Sequence, residues 1–124
     1  MNADHETTVD FRQRTFDFAV RIVRMVRALP RDSVTRELGR QVLRSGTSVG
    51  ANARAAKRGR SAAEFAAKLG IVEEECDETM FWIELLIATE TIPEKRVKAL
   101  LAEAEEILRI TVASIKTSRR NQKA

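Results

Sequence analysis

The sequence predicts an all-α protein, an antiparallel up-and-down four-helix bundle, and three observations lead to that class. Of the 124 residues only two are proline and five are glycine, while 44% are hydrophobic, a composition that favours helix and supplies a core. Apolar side chains recur at steps of three and four along four segments, which is the period of an amphipathic helix. Short turns separate these segments, so consecutive helices should run antiparallel. The length suits one domain, so residues 1–124 are assigned to a single bundle.

The first helix, predicted over residues 9–29, has an apolar face that is too wide for a single packing role. Its apolar side chains cover an arc of about 220°, whereas a surface helix needs a stripe of little more than about 100°. One part of the arc should face the bundle core and the other a partner subunit. We therefore expect a homo-oligomer interface that includes Phe18 and Met25. Phe81 and Leu85 of the third helix, which lie away from its core seam, are assigned to the same interface.

The second helix, predicted over residues 34–57, must pass through the glycine-containing stretch "RSGTSVGANARAAKRGRS". Pro30 ends the helix before it, and Asp32 or Ser33 can cap its start. Its core positions recur at steps of four and three straight through the glycines, so we expect one continuous helix. Each glycine costs about 1 kcal/mol relative to alanine, so a close approach of another helix should compensate. A phosphate-binding loop is the poorer interpretation, because the GxxxxGK[ST] spacing is missing. The predicted core positions are Val34, Leu38, Val42, Ser45, Val49, Asn52 and Ala56.

Two capping-box sequences, "SAAE" at 61–64 and "TIPE" at 91–94, predict the starts of the third and fourth helices. These helices are placed at residues 62–89 and 92–117, and the polar termini of the chain are expected to fray. The seam of the third helix is Phe65, Leu69, Val72, Cys76, Thr79, Ile83 and Leu86. The seam of the fourth is Val97, Leu101, Ala104, Leu108, Thr111 and Ile115.

The residues needed for a catalytic or metal site are missing from the sequence. His5 is the single histidine, so neither a di-iron centre with a Glu-x-x-His motif nor a histidine-dependent nucleophile can be assembled. Cys76 lies on a seam and is interpreted as a small buried hydrophobic residue. The acidic run "EEECDE" at 73–78 scatters around its helix, which favours solvated or inter-subunit charges over a metal site. We expect a non-enzymatic protein with no cofactor and no metal.

Glu75 differs from the other acids because it flanks the seam of the third helix. If the second and third helices fold back about Gly59, Arg44 lies opposite residue 74. We therefore predict a buried Arg44–Glu75 pair that, together with Asn52 inside the seam, fixes the register of the two helices. Its net stabilisation should be small, since desolvation of the charges offsets their attraction.

A row of arginines, called the basic stripe below, follows the outer face of the second helix over about 33 Å. Its members are Arg36, Arg40, Arg44, Arg54 and Arg58. Guanidinium groups at that spacing can follow a phosphate backbone, but they can also be solvated or pair with a neighbouring subunit. Residues 1–60 carry 13 basic and 6 acidic side chains, whereas residues 61–90 carry 1 and 8. The chain has no tyrosine, which disfavours base stacking and leaves duplex or structured RNA as the target. The candidate nucleic-acid-binding residues are Arg36, Arg40, Arg54, Lys57, Arg58 and Arg60.

Residues 42–86 closely resemble the signature region of the bacterial four-helix bundle protein family, also called the large-subunit ribosomal RNA intervening-sequence protein family. The stretches "RSGTSVGAN" and "ECDETMFWIELL" carry the resemblance, which begins at "FRQRTFDFAVRIVRMVRALP" and weakens after residue 115. It implies a helical bundle without known enzymatic activity that assembles as a ring-like homo-oligomer, commonly a pentamer. Related accessory proteins of diversity-generating retroelements form basic barrels that bind nucleic acid and a reverse transcriptase. The resemblance therefore adds a reverse transcriptase or another protein to the expected partners.

The start "MNADHETTVD" has no signal-peptide pattern, the single cysteine fits a reducing compartment, and no apolar run reaches the length of a membrane span. We expect a soluble cytoplasmic protein. Our leading hypothesis is a non-enzymatic homo-oligomeric bundle that binds structured RNA or DNA through its basic helix face. The alternative is a protein-interaction scaffold that has no nucleic-acid ligand.

Overall fold

The computed structural model describes the backbone of residues 3–123 and the side chains of residues 11–122. It contains four helices, α1 (Ala3–Arg27), α2 (Ser33–Lys57), α3 (Ala62–Ala88) and α4 (Glu94–Lys123), and no strand within residues 3–123. Consecutive helices pack along their lengths, whereas α1 and α4 meet only sparsely. The predicted all-α, up-and-down bundle is confirmed. No helix in this described part of the chain is long and apolar enough to cross a membrane.

The helix boundaries follow local hydrogen bonds. Asp32 caps α2, since its Oδ1 accepts the Thr35 backbone N–H at 2.9 Å. Ser61 caps α3 by accepting the Glu64 N–H at 3.1 Å, as the first capping box predicts. The second capping box does not form, because the Thr91 hydroxyl lies 2.9 Å from the hydroxyl of Thr89 instead. The chain turns into α4 through Glu90, whose φ of 60° is in the left-handed region.

α4 continues six residues past its predicted end, because its last turns pack on the start of α3. Ser118 is buried and its hydroxyl donates to the Ala62 carbonyl at 3.4 Å. Near the middle of the α3–α4 contact, the Cys76 thiol donates to the Ala104 carbonyl at 3.1 Å. These contacts give α3 and α4 an antiparallel register. Of the termini expected to fray, residues 1, 2 and 124 lie outside the described residues.

The core confirms the seam of α3 and corrects those of α2 and α4. Every predicted α3 position from Leu69 to Leu86 is buried. In α4 the predicted positions Val97, Ala104, Thr111 and Ile115 are buried, but Leu100 and Ile107 are buried in place of their predicted neighbours one position later. In α2 Val34 is 67% exposed, while Thr35 is buried beside it. The buried core of α2 comprises Thr35, Gly39, Val42, Ser45, Gly46, Val49, Ala53 and Ala56.

α2 is continuous through its glycines, and the glycines let α1 approach closely, as predicted. A Cβ added at Gly46 would lie 2.7 Å from Ile22 Cγ1, and one at Gly50 would lie 3.1 Å from the Thr15 carbonyl oxygen. No glycine in the described chain has a positive φ, so these residues serve packing rather than a turn. The lost helix propensity is offset by the contact between α1 and α2.

Candidate nucleic-acid interface

The straight course of α2 places the arginines of the basic stripe on one outer face. Arg36, Arg54 and Arg58 are exposed and form no ion pair among the described side chains. Arg40 lies 4.0 Å from Glu37, one turn away, and both side chains are largely exposed. An ion pair of this kind contributes little and is easily exchanged for another partner. Four guanidinium groups of the stripe are therefore available to a ligand.

Arg44 differs from the rest of the basic stripe because it reaches α3. Its Nη1 lies 3.2 Å from Glu75 Oε2, and its Nη2 donates to Glu78. The predicted contact with Glu75 is present, but the side chain of Arg44 is 51% exposed, so the prediction that the pair is buried is wrong. Sequence reasoning missed Glu78, although its i, i+3 spacing from Glu75 put both acids on one side of α3.

Asn52 is not part of this network, which corrects the prediction. Its amide donates at 2.9 Å to the carbonyl and the hydroxyl of Ser48, within α2. The buried polar link between α2 and α3 is instead the hydrogen bond from Thr79 to Ser45, 2.9 Å long. The Ser45 hydroxyl, which accepts from Thr79, donates its own proton to the Gln41 carbonyl; the Glu75 carbonyl, 2.7 Å from Thr79 Oγ1, is an alternative acceptor for the Thr79 proton. A satisfied buried pair of this kind favours a single register of the two helices.

The C-terminal end of α2 belongs to a larger basic surface than the sequence indicates. Because Ser118 packs on Ala62, the last turns of α4 lie beside the turn between α2 and α3. Basic residues of α2, of the turn and of the last turns of α4 therefore lie at the same end of the bundle, exposed except for the half-buried Lys57. We call this surface the basic end, and its members are Lys57, Arg58, Arg60, Lys116, Arg119 and Arg120. Sequence reasoning left out the α4 residues because it expected that tail to fray.

The structure divides the predicted interface residues into core and surface. Phe18 is fully buried and Met25 is 9% exposed, both within the core of one chain. Their assignment to a subunit interface is therefore wrong, since the two side chains pack in the core of one chain and leave little or no surface for a partner. Phe81 is 54% exposed and Leu85 is half-buried. The outer side of α1 presents Phe16 instead.

The surface around Phe81 combines apolar and acidic side chains. The ring of Phe81 meets that of Trp82 edge-on, with centroids 5.0 Å apart, and Trp82 Nε1 is buried without a hydrogen-bond partner. Contacts between α2 and α3 place the exposed Val34 at the level of Leu85. We call the exposed acids beside Phe81 the acidic surface, and they form no ion pair among the described residues: Glu74, Asp77 and Glu84.

A paired arginine and glutamate join α1 to α4, where the helices otherwise meet sparsely. Arg14 donates from Nε and Nη2 to the two carboxylate oxygens of Glu103, at 2.7 and 2.8 Å. The hydrogen bond from Arg14 lowers the pKa of Glu103, and the same bond raises the pKa of Arg14. Bidentate geometry of this kind is the strongest form of this ion pair. It closes the bundle between its first and last helices.

The single cysteine is buried, and the side chain of the single histidine lies outside the described residues. Cys76 is fully buried, as predicted, and burial raises the pKa of its thiol to about 12. The side chain of His5 lies outside the described residues. Among the side chains that the structure does describe, no group of three or more His, Cys, Asp and Glu residues is arranged to hold a metal ion.

A family sequence profile and a solved structure both relate the chain to the same kind of protein. The sequence profile of the family described as "23S rRNA-intervening sequence protein" matches residues 7–113. The crystal structure of a protein of unknown function from Bacteroides thetaiotaomicron, assigned to the S23 ribosomal protein family, is 36% identical in sequence. The alignment covers 88% of this chain and 97% of that one, with a TM-score of 0.79. No protein with a curated description matches significantly.

Proposed function

Because the chain belongs to the 23S rRNA-intervening sequence protein family, we propose that it is a non-enzymatic homo-oligomer that binds structured RNA or DNA. The binding surface is the basic stripe together with the basic end. The observation that carries the proposal is the row of exposed arginines along one uninterrupted helix, of which Arg36, Arg54 and Arg58 form no ion pair among the described side chains and Arg40 only a weak one. The family name associates its members with ribosomal RNA genes, which agrees with a nucleic-acid ligand.

The dimensions of the basic stripe suit a phosphate backbone. Its length of about 33 Å, at 1.5 Å per residue, is close to one turn of duplex, about 34–36 Å. Arg36, Arg40, Arg54 and Arg58 can each contact a phosphate, and four contacts give a slope of log K against log salt of about −3.6. Affinity should then fall by about 10²-fold between 50 and 200 mM salt. Added contacts from the basic end would steepen the slope.

The homo-oligomeric part of the proposal rests on the surface around Phe81. The Phe81 ring on α3 is exposed, and the exposed Val34 of α2 lies at the level of Leu85, one turn along α3 from Phe81. A second copy would cover this apolar surface. A ring-like assembly, which the resemblance to the family implies, would need a head-to-tail contact between this surface and a different surface of the next subunit. The resemblance to the family favours a pentamer, and it adds a reverse transcriptase or another protein as a further partner.

The experiment is a salt titration of binding to a fluorescent duplex RNA of about 20 base pairs, one to two helical turns. The test variant changes four arginines of the basic stripe to glutamine: Arg36, Arg40, Arg54 and Arg58. The matched control makes the same change in net charge at exposed positions elsewhere: Arg12, Arg24, Lys95 and Lys98. We expect the test variant to lose most of the slope and the control to retain it. Equal losses in the two variants, or no binding by the wild type at low salt, would refute nucleic-acid binding through the stripe.

A protein-interaction scaffold is the second candidate, and the acidic surface of α3 favours it. Glu74, Asp77 and Glu84 have no ion-pair partner among the described residues. In a ring they can pair with the basic stripe of a neighbouring subunit, which would satisfy both surfaces without a nucleic acid. Under this alternative the wild-type protein binds no duplex at low salt, and the test variant dissociates into smaller species in sedimentation.

A further inference from the structure

A cleft of about 340 Å³ lies where α1 ends, the chain turns and α2 begins. Three arginines line it, and each comes from a different element: Arg27 from the last turn of α1, Arg31 from the turn and Arg36 from the first turns of α2. All three are exposed and none forms an ion pair among the described side chains. The cleft therefore concentrates positive charge in a concave site.

Asp32, the acidic residue in the turn beside the cleft, already accepts hydrogen bonds from the start of α2. Asp32 Oδ1 accepts the Thr35 N–H and Oδ2 accepts the Thr35 hydroxyl, each at 2.9 Å. The hydrogen bonds from Thr35 lower the pKa of Asp32, so its carboxylate is charged at neutral pH. Because Asp32 occupies the first amides of α2, an anion in the cleft would have to be held by the guanidinium groups. Three positive charges face one negative charge there.

The remaining wall of the cleft is apolar. Val26 and Leu29 are half-buried, and Pro30 completes the surface beside them. A Cβ at Gly39 would stand 3.3 Å from Leu29 Cδ1 and 3.5 Å from Val26 Cγ1, so the glycine lets these methyl groups pack closely against α2 at the base of the cleft. A ligand that fits the cleft thus needs an anionic part and a flat apolar part. The volume lies in the range of small-molecule sites, about 300–1,000 Å³.

We propose that this cleft binds a nucleoside monophosphate group, with the phosphate on Arg27, Arg31 and Arg36 and the base against Leu29 and Pro30. A phosphomonoester carries about −1.5 to −2 charges and three acceptor oxygens near pH 7, which matches three guanidinium groups better than a diester does. Two sources share this chemistry, a free mononucleotide and the 5′-phosphorylated end of a nucleic-acid strand. Arg36 belongs both to the cleft and to the basic stripe, so a strand that follows the stripe would end here. This identification of the strand end rests on the proposed function.

A second arginine-lined cleft, between α1 and α4, provides the control. It measures about 300 Å³ and is lined by Arg21, Arg24 and Arg96 above Met25, Val97 and Leu100. The Glu103 carboxyl group lies near this cleft, and its pKa is lowered mainly by the hydrogen bond from Arg14 and to a smaller extent by Arg21. This cleft is also separated from the basic stripe by α1.

The experiment measures binding of the full-length protein to AMP, to inorganic phosphate, and to one RNA hairpin made with a 5′-phosphate or a 5′-hydroxyl. We expect the 5′-phosphate to tighten hairpin binding by about tenfold, since charged hydrogen bonds are gained. AMP should displace the 5′-phosphorylated hairpin at a lower concentration than inorganic phosphate does, and should remove the tighter binding that the 5′-phosphate gives. Arg31→Gln and, independently, Arg27→Gln should abolish the gain, while Arg24→Gln and Arg96→Gln in the second cleft should leave it unchanged.

The outcomes separate this proposal from the proposed function. If both hairpins bind equally and AMP does not bind, the cleft proposal is overturned, although salt-dependent hairpin binding would still support the basic stripe. If AMP binds and neither hairpin does, the cleft is a free-nucleotide site and nucleic-acid binding is refuted. Equal competition by inorganic phosphate and AMP would overturn the role of the apolar wall. Loss of the gain in Arg24→Gln as well as in Arg31→Gln would overturn the assignment to this cleft.

Discussion

Replacing Gly46 with alanine should destabilise the bundle, although alanine is the better helix former. The gain in helix propensity is about 1 kcal/mol. The added Cβ, however, would lie 2.7 Å from Ile22 Cγ1, 2.8 Å from Cγ2 and 3.1 Å from Cβ. These atoms cannot swing aside, because Ile22 is fully buried and a β-branched side chain is restricted at χ1. α1 would have to move away by roughly 1 Å to restore ordinary carbon–carbon contacts.

Overpacking of this kind costs about 1–3 kcal/mol, so Gly46→Ala should lower the free energy of unfolding by up to about 2 kcal/mol after the propensity gain of about 1 kcal/mol is subtracted. Gly70→Ala is the matched control, because beyond the neighbouring residues and backbone of its own helix no atom lies within 4 Å of the position that its Cβ would occupy. This variant should gain about 0.5–1 kcal/mol. The assay is urea unfolding followed by circular dichroism at one fixed protein concentration, since assembly makes stability concentration-dependent.

The double variant Gly46→Ala, Ile22→Ala isolates the contact between α1 and α2. Removing the Cγ atoms of Ile22 should make the loss in the double variant smaller than the sum of the single losses. If Gly46→Ala is as stable as Gly70→Ala, the close approach of α1 and α2 is wrong, and so is the packing role given to the α2 glycines.

The buried Cys76 should resist thiol reagents until the protein unfolds. Burial raises the pKa of the Cys76 thiol from 9.0 to about 12, so between these pH values only the thiol of the unfolded chain ionises. The free energy of unfolding should therefore fall by up to about 1.4 kcal/mol per pH unit in this range. The variant Cys76→Ala should lack this pH dependence. Arg14→Gln and Glu103→Gln should show a coupling of about 1 kcal/mol in a double-mutant cycle, limited by solvent screening because Arg14 is 38% exposed. Since Arg14 lowers the pKa of Glu103, this coupling should be present at neutral pH and disappear as the carboxylate is protonated in acid; a coupling that persists there would contradict the ion pair. Glu90→Gly should raise the unfolding midpoint, with a gain of about 0.5–1 kcal/mol, because a side chain is strained at a φ of 60°.

Hydrophobic periodicity predicted α3 well and α2 less well, for a physical reason. In α3 the buried positions carry side chains that are apolar or nearly so, so the pattern in the sequence is the pattern of the core. In α2 two buried positions are Gly39 and Gly46, and a glycine adds nothing to an apolar pattern. The predicted face therefore included Val34, which is exposed, and omitted Thr35, which is buried. When a helix packs through glycines, its contact face cannot be identified from the spacing of apolar side chains.

The candidate site was predicted in part for a related reason. The arginines of the basic stripe share one face of α2 because of their spacing along a continuous helix. This prediction stays correct even where a core position of α2 is assigned one residue away from its true place. The interface residues of α1 depend on which edge of a wide apolar arc faces the other helices, and a single helix does not contain that information. Phe18 was therefore assigned to the wrong side. The basic end, which joins Arg60 to Lys116 and Arg119, depends on the packing of α4 against α3 and has no local signal.

The division of charge between α2 and α3 decides whether assembly and nucleic-acid binding compete. Arg44 is the member of the basic stripe that pairs with α3 in one chain, through Glu75 and Glu78. If subunits join through Phe81 and its apolar neighbours, the other arginines stay available in the assembly. Apolar contacts are not weakened by screening, whereas phosphate contacts are. Raising salt from about 50 to 500 mM should then release the duplex without changing the sedimentation of the protein. If the stripe is instead covered by the acidic surface of a neighbour, the same salt step dissociates the protein itself, and binding to nucleic acid would require subunits to separate.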